Sequence, residues 1–320
     1  MNGTCRLCGA HGPLIFSHLI PRFAVKWLKK TSATGFLRNL SNPAKRQQET
    51  HRQYLLCAHC EQLLGRDEKR FAEHIFIPYQ EENQPTSFAY DEWFLRVLVG
   101  LHWRALVTSD PVPDNVRPVF AAAEERWRQY LLGRVPDPGT AEFHVQFGGV
   151  IEHSTFDLPK KINWYVARAF DASPIFTPSG SDALFYVKLP RLIMLAFISP
   201  RDPAEEDWNG TQVVTRGVIQ VRQNVSTTRF GQFLLERAKA VETNAPMFTE
   251  RQMQKILEQA KANPRAFLDS DSYRVHIADQ RMRAIAEARN ARIEVKGRDR
   301  NKPCPCGSGR KAKKCHGRTS

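Results

Sequence analysis

Seven cysteines, completed by a histidine beside the last of them, fall into two sets of four near the two ends of the chain. The first set is Cys5-x-x-Cys8 followed, 48 residues later, by Cys57-x-x-Cys60. The second set is Cys304-x-Cys306 followed, eight residues later, by Cys315-His316. Four thiolates, or three and an imidazole, satisfy tetrahedral zinc, whereas an odd number of cysteines is unsuited to a disulfide framework. The sequence therefore predicts two structural Zn²⁺ sites.

Positive charge is concentrated in the same two regions. The net charge is +14; residues 1–80 hold 12 Lys and Arg against 5 Asp and Glu, and residues 281–320 hold 13 against 3. Basic segments that also carry cysteine pairs suggest a polyanionic partner, because binding to phosphates releases counterions. We expect nucleic acid, DNA more than RNA. The alternative is ordinary solubilising charge.

Hydropathy excludes a membrane-spanning chain. No uncharged apolar stretch approaches the roughly 20 residues needed to cross a bilayer, and the N-terminus lacks the basic start and apolar run of a secretory leader. With 320 residues and 42% hydrophobic content, the chain can build two or three packed units. We therefore expect a cytoplasmic globular protein without membrane insertion.

The pattern of apolar residues predicts an α+β fold in three parts: a zinc finger module at 1–80, an α+β domain of unassigned role at 81–296, and a zinc-binding tail at 297–320. Helical spacing is found at 21–30, 61–76, 90–108, 117–133, 227–242, 249–262 and 275–296. Short β-forming runs at 143–147, 164–166, 184–187, 192–198 and 213–221 predict an antiparallel sheet. Acidic residues of the middle part, such as Asp171 and Asp271, are interpreted as loop and cap residues.

The predicted helix at 21–30 carries a basic stripe. Pro21 occupies a position that favours helix initiation. Arg22, Lys26, Lys29 and Lys30 follow at spacings i, i+4, i+7 and i+8, which place them on one face. Such a stripe can follow a phosphate backbone, and we interpret it as a nucleic-acid-binding surface. The alternative is a solvated helix face.

The C-terminal set resembles the SEC-C motif, the zinc tail of the SecA preprotein translocase, which also ends many otherwise unrelated bacterial proteins. The similarity runs from Arg300-Asn301 through Pro303-Cys304-Pro305-Cys306-Gly307-Ser308-Gly309 to Lys313-Lys314-Cys315-His316-Gly317. Lys302 and Ala312 depart from the family pattern, at positions that are not ligands. The resemblance implies a docking tail for a SecB-like chaperone or another acidic surface. No phosphate-binding Gly-rich loop accompanies it, so the chain is not a translocase motor.

The N-terminal set resembles the HNH endonuclease family, with its treble-clef, ββα-metal finger. The similarity lies in Ser17-His18-Leu19-Ile20-Pro21, in Gln53-Tyr54-Leu55-Leu56, and in the two cysteine pairs around them. The resemblance implies that His18 acts as general base on a water while a divalent metal stabilises the scissile phosphate. It gives Gln53 the orienting role and Glu61 the metal-binding role.

Three departures from the HNH pattern leave two functions open. Ser17 replaces an acidic or histidine ligand, Gln53 replaces asparagine, and Glu61 replaces asparagine or histidine. Because Glu61 is a hard oxygen ligand suited to Mg²⁺ or Mn²⁺, the first hypothesis is a metal-dependent endonuclease acting on DNA, with a defence role by analogy. The alternative is a non-catalytic zinc-finger adaptor for nucleic acid, the ribosome or a chaperone.

Overall fold

The structure is a computed structural model. It describes residues 1–38, 46–47, 52–81, 83–154, 157–177, 179, 181–199, 207–223, 225, 228–244, 250–290, 297–304 and 309–315. The fold is α+β, as the sequence predicts. In the described part of the chain, no helix is both long enough and apolar enough to span a bilayer.

The N-terminal finger consists of a small antiparallel sheet and one long helix. In chain order its elements are β1 (Asn2–Thr4), β2 (His11–His18), α1 (Arg22–Lys30), β3 (Leu37–Arg38), β4 (Arg46–Gln47), β5 (Arg52–Cys57) and α2 (Ala58–Phe71). Strand β2 is the centre of a three-stranded sheet, between β1 and β5. Helix α2 begins immediately after β5. The local architecture is therefore an antiparallel pair of strands, β2 and β5, followed by a helix, with one cysteine pair in the β1–β2 connection and the other where β5 meets α2.

Helix α2 continues through a π-helical turn (Ala72–Phe76) into α3 (Ile77–Gln80). Pro78 accounts for the wider turn. It has no N–H to donate to the carbonyl of His74, and its ring would clash with that carbonyl in a regular α-helix. The helix predicted at 61–76 is thus present, but with a local change of pitch.

The middle of the chain is a four-stranded sheet between helices. Its elements are β6 (Ser87–Tyr90), α4 (Glu92–Thr108), α5 (Arg117–Leu131), β7 (Glu142–Phe147), α6 (Ile162–Arg168), β8 (Asp171–Phe176), β9 (Ala183–Leu189), β10 (Leu192–Phe197) and β11 (Gly217–Gln220). The sheet order is β7-β10-β9-β8, and every neighbouring pair is antiparallel. The predicted antiparallel sheet is confirmed. Strand β11 pairs instead with β6.

Strand β10 shows why its sequence lacks polar alternation. Leu192, Met194 and Ala196 point into the main core, against α4. Ile193, Leu195 and Phe197 point into a second core on the other face. A strand covered on both faces reads as a continuous apolar run.

The strand predicted at 164–166 is wrong, because these residues belong to helix α6. Two backbone N–H groups at its start, those of Asn163 and Trp164, donate to the carboxylate of Asp279 at 2.8 and 3.1 Å. The helix N-terminus is therefore satisfied by a side chain 115 residues away. Local β-propensity does not contain that contact.

The remaining elements are helical: α7 (Thr228–Asn244), α8 (Glu250–Ala262), α9 (Pro264–Leu268), α10 (Asp271–Asn290), a 3₁₀ turn (Gly297–Asn301) and α11 (Ala312–Cys315). The three helices predicted in this region are present. The final part of the last predicted helix, 291–296, lies outside the described residues.

The finger shares its hydrophobic core with the middle helices. Leu7, Leu56 and Leu64 from the finger are buried in one cluster with Phe94 and Leu98 of α4. Ion pairs between α4 and α2, such as Arg96 with Asp67, cross the same interface. A boundary near residue 80 remains a prediction, and residues on either side of it pack together.

Candidate metal centres and the adjoining polar site

The first cysteine set converges at one point of the finger. All four sulfur atoms lie within 4.8 Å of one another, with Cys8 and Cys57 3.8 Å apart. A tetrahedral zinc with Zn–S bonds of about 2.3 Å separates its sulfur atoms by about 3.8 Å, whereas a disulfide brings them to about 2.05 Å. The arrangement therefore fits a metal rather than a cystine.

The backbone around these cysteines is arranged for a thiolate. The N–H of Cys57 donates to the Cys5 sulfur at 3.3 Å. Burial raises the pKa of the Cys5 thiol, but backbone hydrogen bonds from Cys8, Cys57 and Leu7 oppose this and bring the pKa down to about 7. Burial also raises the pKa of the Cys60 thiol. The backbone therefore favours a thiolate at Cys5, whereas burial disfavours ionisation of Cys60.

The second set is described only in part. Cys304 is buried, and its N–H donates to the Arg310 carbonyl at 2.7 Å; the Ala312 N–H donates to the Lys302 carbonyl at 2.9 Å. This short antiparallel pairing folds the tail back on itself, and α11, which ends at Cys315, follows it directly. The other two predicted ligands, Cys306 and His316, lie outside the described residues.

The HNH-like residues cluster on the hairpin and on the first turn of α2. Strand β2 pairs Ser17 with Gln53 and His18 with Arg52. Ser17 is buried, and its hydroxyl donates to the Glu61 carboxylate at 2.8 Å. Ser17 is therefore a neighbour of both Gln53 and Glu61, although Glu61 is 44 residues away in the sequence. The pairing of β2 with β5, and the start of α2 directly after β5, bring these residues together.

Strand alternation places His18 on the opposite face of the hairpin from Ser17. His18 is half-buried at the end of β2. Burial lowers the pKa of His18, the positive charges of Arg52 and Arg22 lower it further, and Glu61 opposes them. The imidazole is consequently neutral at pH 7, with a carboxylate and two guanidinium groups around it.

A buried arginine that the sequence analysis missed lies beside Glu61. Arg104 of α4 is 2% exposed; its guanidinium lies 2.5 Å from the Glu68 carboxylate and 4.0 Å from that of Glu61. Glu61 and Glu68 are two helical turns apart on α2, so they share a face. Arg104 itself stands in an apolar helix, and no periodicity singles it out. Only the packing of α4 against α2 brings the three side chains together.

The basic stripe lies on a helix fixed by aromatic contacts. Phe23 packs edge-on against Phe76, with ring centroids 5.0 Å apart, and Trp27 does so at 5.9 Å. The basic residues beside this aromatic face are mostly in solvent: Arg22, Lys26 and Lys30 are exposed, and Lys29 is half-buried. The stripe is accessible over most of its length, and its role as a nucleic-acid-binding surface stays a prediction.

Two acidic residues interpreted as loop or cap residues are buried anchors. Asp271 begins α10 and pairs with Arg168, at 2.5 Å, and with Arg191. Asp171 begins β8 and accepts hydrogen bonds from Arg237 and, at 2.7 Å, from the Tyr165 hydroxyl. The prediction located both near element ends, but it missed their cationic partners.

Lys188 of β9 is a second buried polar residue that no motif marks. Its ammonium donates to the carbonyls of Ala169 at 2.8 Å and Leu189 at 3.3 Å. Burial lowers the pKa of Lys188 to about 7, against a smaller opposing effect of Asp171. This group belongs to the sheet and lies apart from the finger.

The comparisons with known proteins agree with the C-terminal part of this description. A family model for the SEC-C motif matches residues 300–318. Neither the curated proteins nor the solved structures gave a match. The chain thus carries a zinc-binding SEC-C motif at one end and, at the other, a four-cysteine cluster able to hold a metal. The match identifies the tail alone, since the rest of the chain lies outside it.

Proposed function

We propose that the finger is a metal-dependent endonuclease site of the HNH type. The observation that carries the proposal is the placement of His18 at the end of β2 and Glu61 in the first turn of α2, around a hairpin closed by the four-cysteine cluster. That order of hairpin, helix and cysteine cluster is the one the HNH resemblance implies. The Glu61 carboxylate is near enough to His18 to oppose the lowering of its pKa, which supports a shared site.

Each polar group in this site has a distinct task in the proposed reaction. The neutral His18 imidazole accepts a proton from the attacking water. The Gln53 amide takes the orienting role that the HNH resemblance gives to this position. Glu61 and the Ser17 hydroxyl are hard oxygen donors of the kind that Mg²⁺ or Mn²⁺ prefers, so they fit such an ion. Once bound, the ion would stabilise charge on the scissile phosphate.

Substrate capture and docking are assigned to the two basic ends. The exposed stripe of Arg22, Lys26 and Lys30, with Lys29 beside it, would follow a DNA backbone. The SEC-C tail would dock the protein on an acidic surface, such as that of a SecB-like chaperone. These parts act independently of cleavage, because a binding surface does not require a general base.

One observation favours a second function, that of a non-catalytic adaptor. The Glu61 carboxylate already accepts a hydrogen bond from Ser17, and the Arg104 guanidinium lies 4.0 Å away. A carboxylate neutralised by a fixed cation is a poorer metal ligand. In that case the finger would bind nucleic acid or the ribosome without cutting.

The deciding experiment is nicking of supercoiled plasmid by zinc-loaded protein with added Mg²⁺ or Mn²⁺. His18→Ala should reduce the rate by about 100-fold or more, the usual contribution of a general base. Glu61→Gln should raise the metal concentration that is required. His11→Ala is the matched control, since His11 is an exposed histidine at the other end of β2. It should cleave like wild type.

The opposite outcome identifies the adaptor. Wild-type protein that binds the plasmid with a steep salt dependence, yet never nicks it with either ion, would rule out the nuclease. Equal cleavage by wild type and His18→Ala would reject His18 as the base.

A further inference from the structure

Phe16 and Tyr54 form an exposed aromatic pair on the finger. Each retains 46% of its surface, and no other Phe, Tyr or Trp side chain among the described residues is exposed to this degree. Their ring centroids lie 5.0 Å apart at an angle of 37°. Large aromatic side chains left in water are costly unless they serve a contact. This pair therefore requires an explanation that core packing does not give.

The register of the hairpin directs these rings outward. Phe16 pairs with Tyr54 and His18 pairs with Arg52, so all four side chains share one face. A bulge lies next to the aromatic pair, because Ile15 pairs with Leu56 and leaves Leu55 as an extra residue on β5. Both leucines are buried. The bulge lets them enter the core while Tyr54 keeps facing solvent.

One guanidinium lies beside the pair and another lies near His18 on the same face. The Arg52 guanidinium lies 5.8 Å from the centroid of the Phe16 ring. Arg22, the first residue of the basic helix, is close enough to His18 to lower its pKa. Aromatic faces interleaved with guanidinium groups suit a ligand that carries both a flat ring and a negative charge. An apolar protein segment would gain nothing from these cations.

We propose that the face formed by Phe16, Tyr54 and Arg52 is a stacking platform for an unpaired nucleotide. The base stacks on the aromatic pair, and the phosphate is held by Arg52 and Arg22 beside His18. The occupant is single-stranded nucleic acid, because the faces of paired bases are covered by their neighbours in a duplex. The inference rests on the proposed function only in its nucleic-acid-binding part; it narrows the substrate to one that contains an unpaired stretch.

Fluorescence anisotropy tests the platform with the full-length, zinc-loaded chain and no added Mg²⁺ or Mn²⁺. The probes are a labelled 15-nucleotide single strand and the duplex of the same sequence. Phe16→Ala and Tyr54→Ala should each weaken single-strand binding by about 5-fold to 150-fold, the range expected from losing one stacked base. Duplex binding should change less than twofold. Tyr54→Phe, which keeps the ring, should bind like wild type.

Val218→Ala is the control, since Val218 is an apolar side chain 60% exposed on β11. It should not affect binding to either probe. Zinc content and far-ultraviolet circular dichroism establish that each variant is folded. Equal losses on single strand and duplex, or no loss in either aromatic variant, would overturn the platform.

Failure of the platform and failure of the nuclease give different results. If the aromatic variants lose single-strand binding while wild type never cleaves, the stacking platform is supported and the nuclease proposal is refuted. If wild type nicks plasmid but Phe16→Ala and Tyr54→Ala bind single strands normally, the nuclease proposal is supported and the stacking platform is refuted. If the protein binds an apolar peptide through this face and has no affinity for the single strand, the face is a protein-docking surface and the proposal is refuted.

Discussion

Replacing Arg104 with methionine should lower the free energy of unfolding by about 3 kcal/mol at pH 7. Removing one partner of a buried ion pair costs about 3–5 kcal/mol, because the other charge remains buried and unpaired. Arg104 is 2% exposed, but the side chain of Glu68 retains 20% exposure. Some water therefore reaches Glu68, and the lower end of that range applies.

The loss should also depend on pH, with a sign that follows from Glu68. Burial raises the pKa of Glu68 above its usual 4.5, and Arg104 opposes this. Without Arg104 the folded-state pKa rises further. As the pH falls from 7 towards 5, the folded variant takes up a proton that the unfolded chain does not, so its stability recovers. The difference between variant and wild type should therefore shrink.

Urea unfolding at pH 7 and pH 5, with zinc present, measures both effects. The double variant Arg104→Met/Glu68→Gln should be more stable at pH 7 than Arg104→Met alone, since it removes the less exposed of the two carboxylates that lose Arg104. Arg126→Met is the control, because Arg126 and Asp137 form an exposed pair and should contribute less than about 1 kcal/mol. A loss that is the same at both pH values, and is not rescued by Glu68→Gln, would refute the assignment.

Three further outcomes are expected. Cys57→Ser should remove one equivalent of zinc and unfold the finger, because structural zinc contributes about 10 kcal/mol or more; metal analysis and circular dichroism measure both, and an unchanged zinc content would contradict it. Burial lowers the pKa of His102 to about 4, below its unfolded 6.5. Between pH 6.5 and 4.5 the free energy of unfolding of wild type should therefore fall by about 2 kcal/mol more than that of His102→Leu. An equal fall in both proteins, measured by urea unfolding, would exclude this role of His102. The pKa of Lys188, about 7 against 10.5 when unfolded, predicts a gain of about 2 kcal/mol from pH 7 to 9 in wild type that Lys188→Met should lack. If Lys188→Met keeps this increase in stability with pH, the increase arises from another titrating group.

Sequence patterns predicted the helices and most strands of the middle region, where apolar spacing reflects burial directly. They failed at α6, whose start is capped by Asp279 from another helix. They also gave Asp171 and Asp271 an approximate location without their partners. A cap from 115 residues away leaves no local signal, because propensity describes only the chain's own neighbourhood.

The sequence by itself was enough to predict two ligand sets, because metal coordination requires particular residue types at short, fixed spacings, and the first set does converge in the structure. It also determined the basic face of α1, which depends on helical periodicity alone. Only the tertiary structure decided that Arg104 lies against Glu61 and Glu68, and that Ser17 binds Glu61 while Phe16 and Tyr54 face solvent. These contacts depend on strand register and on the packing of α4 against α2. Each joins side chains that no single local pattern contains.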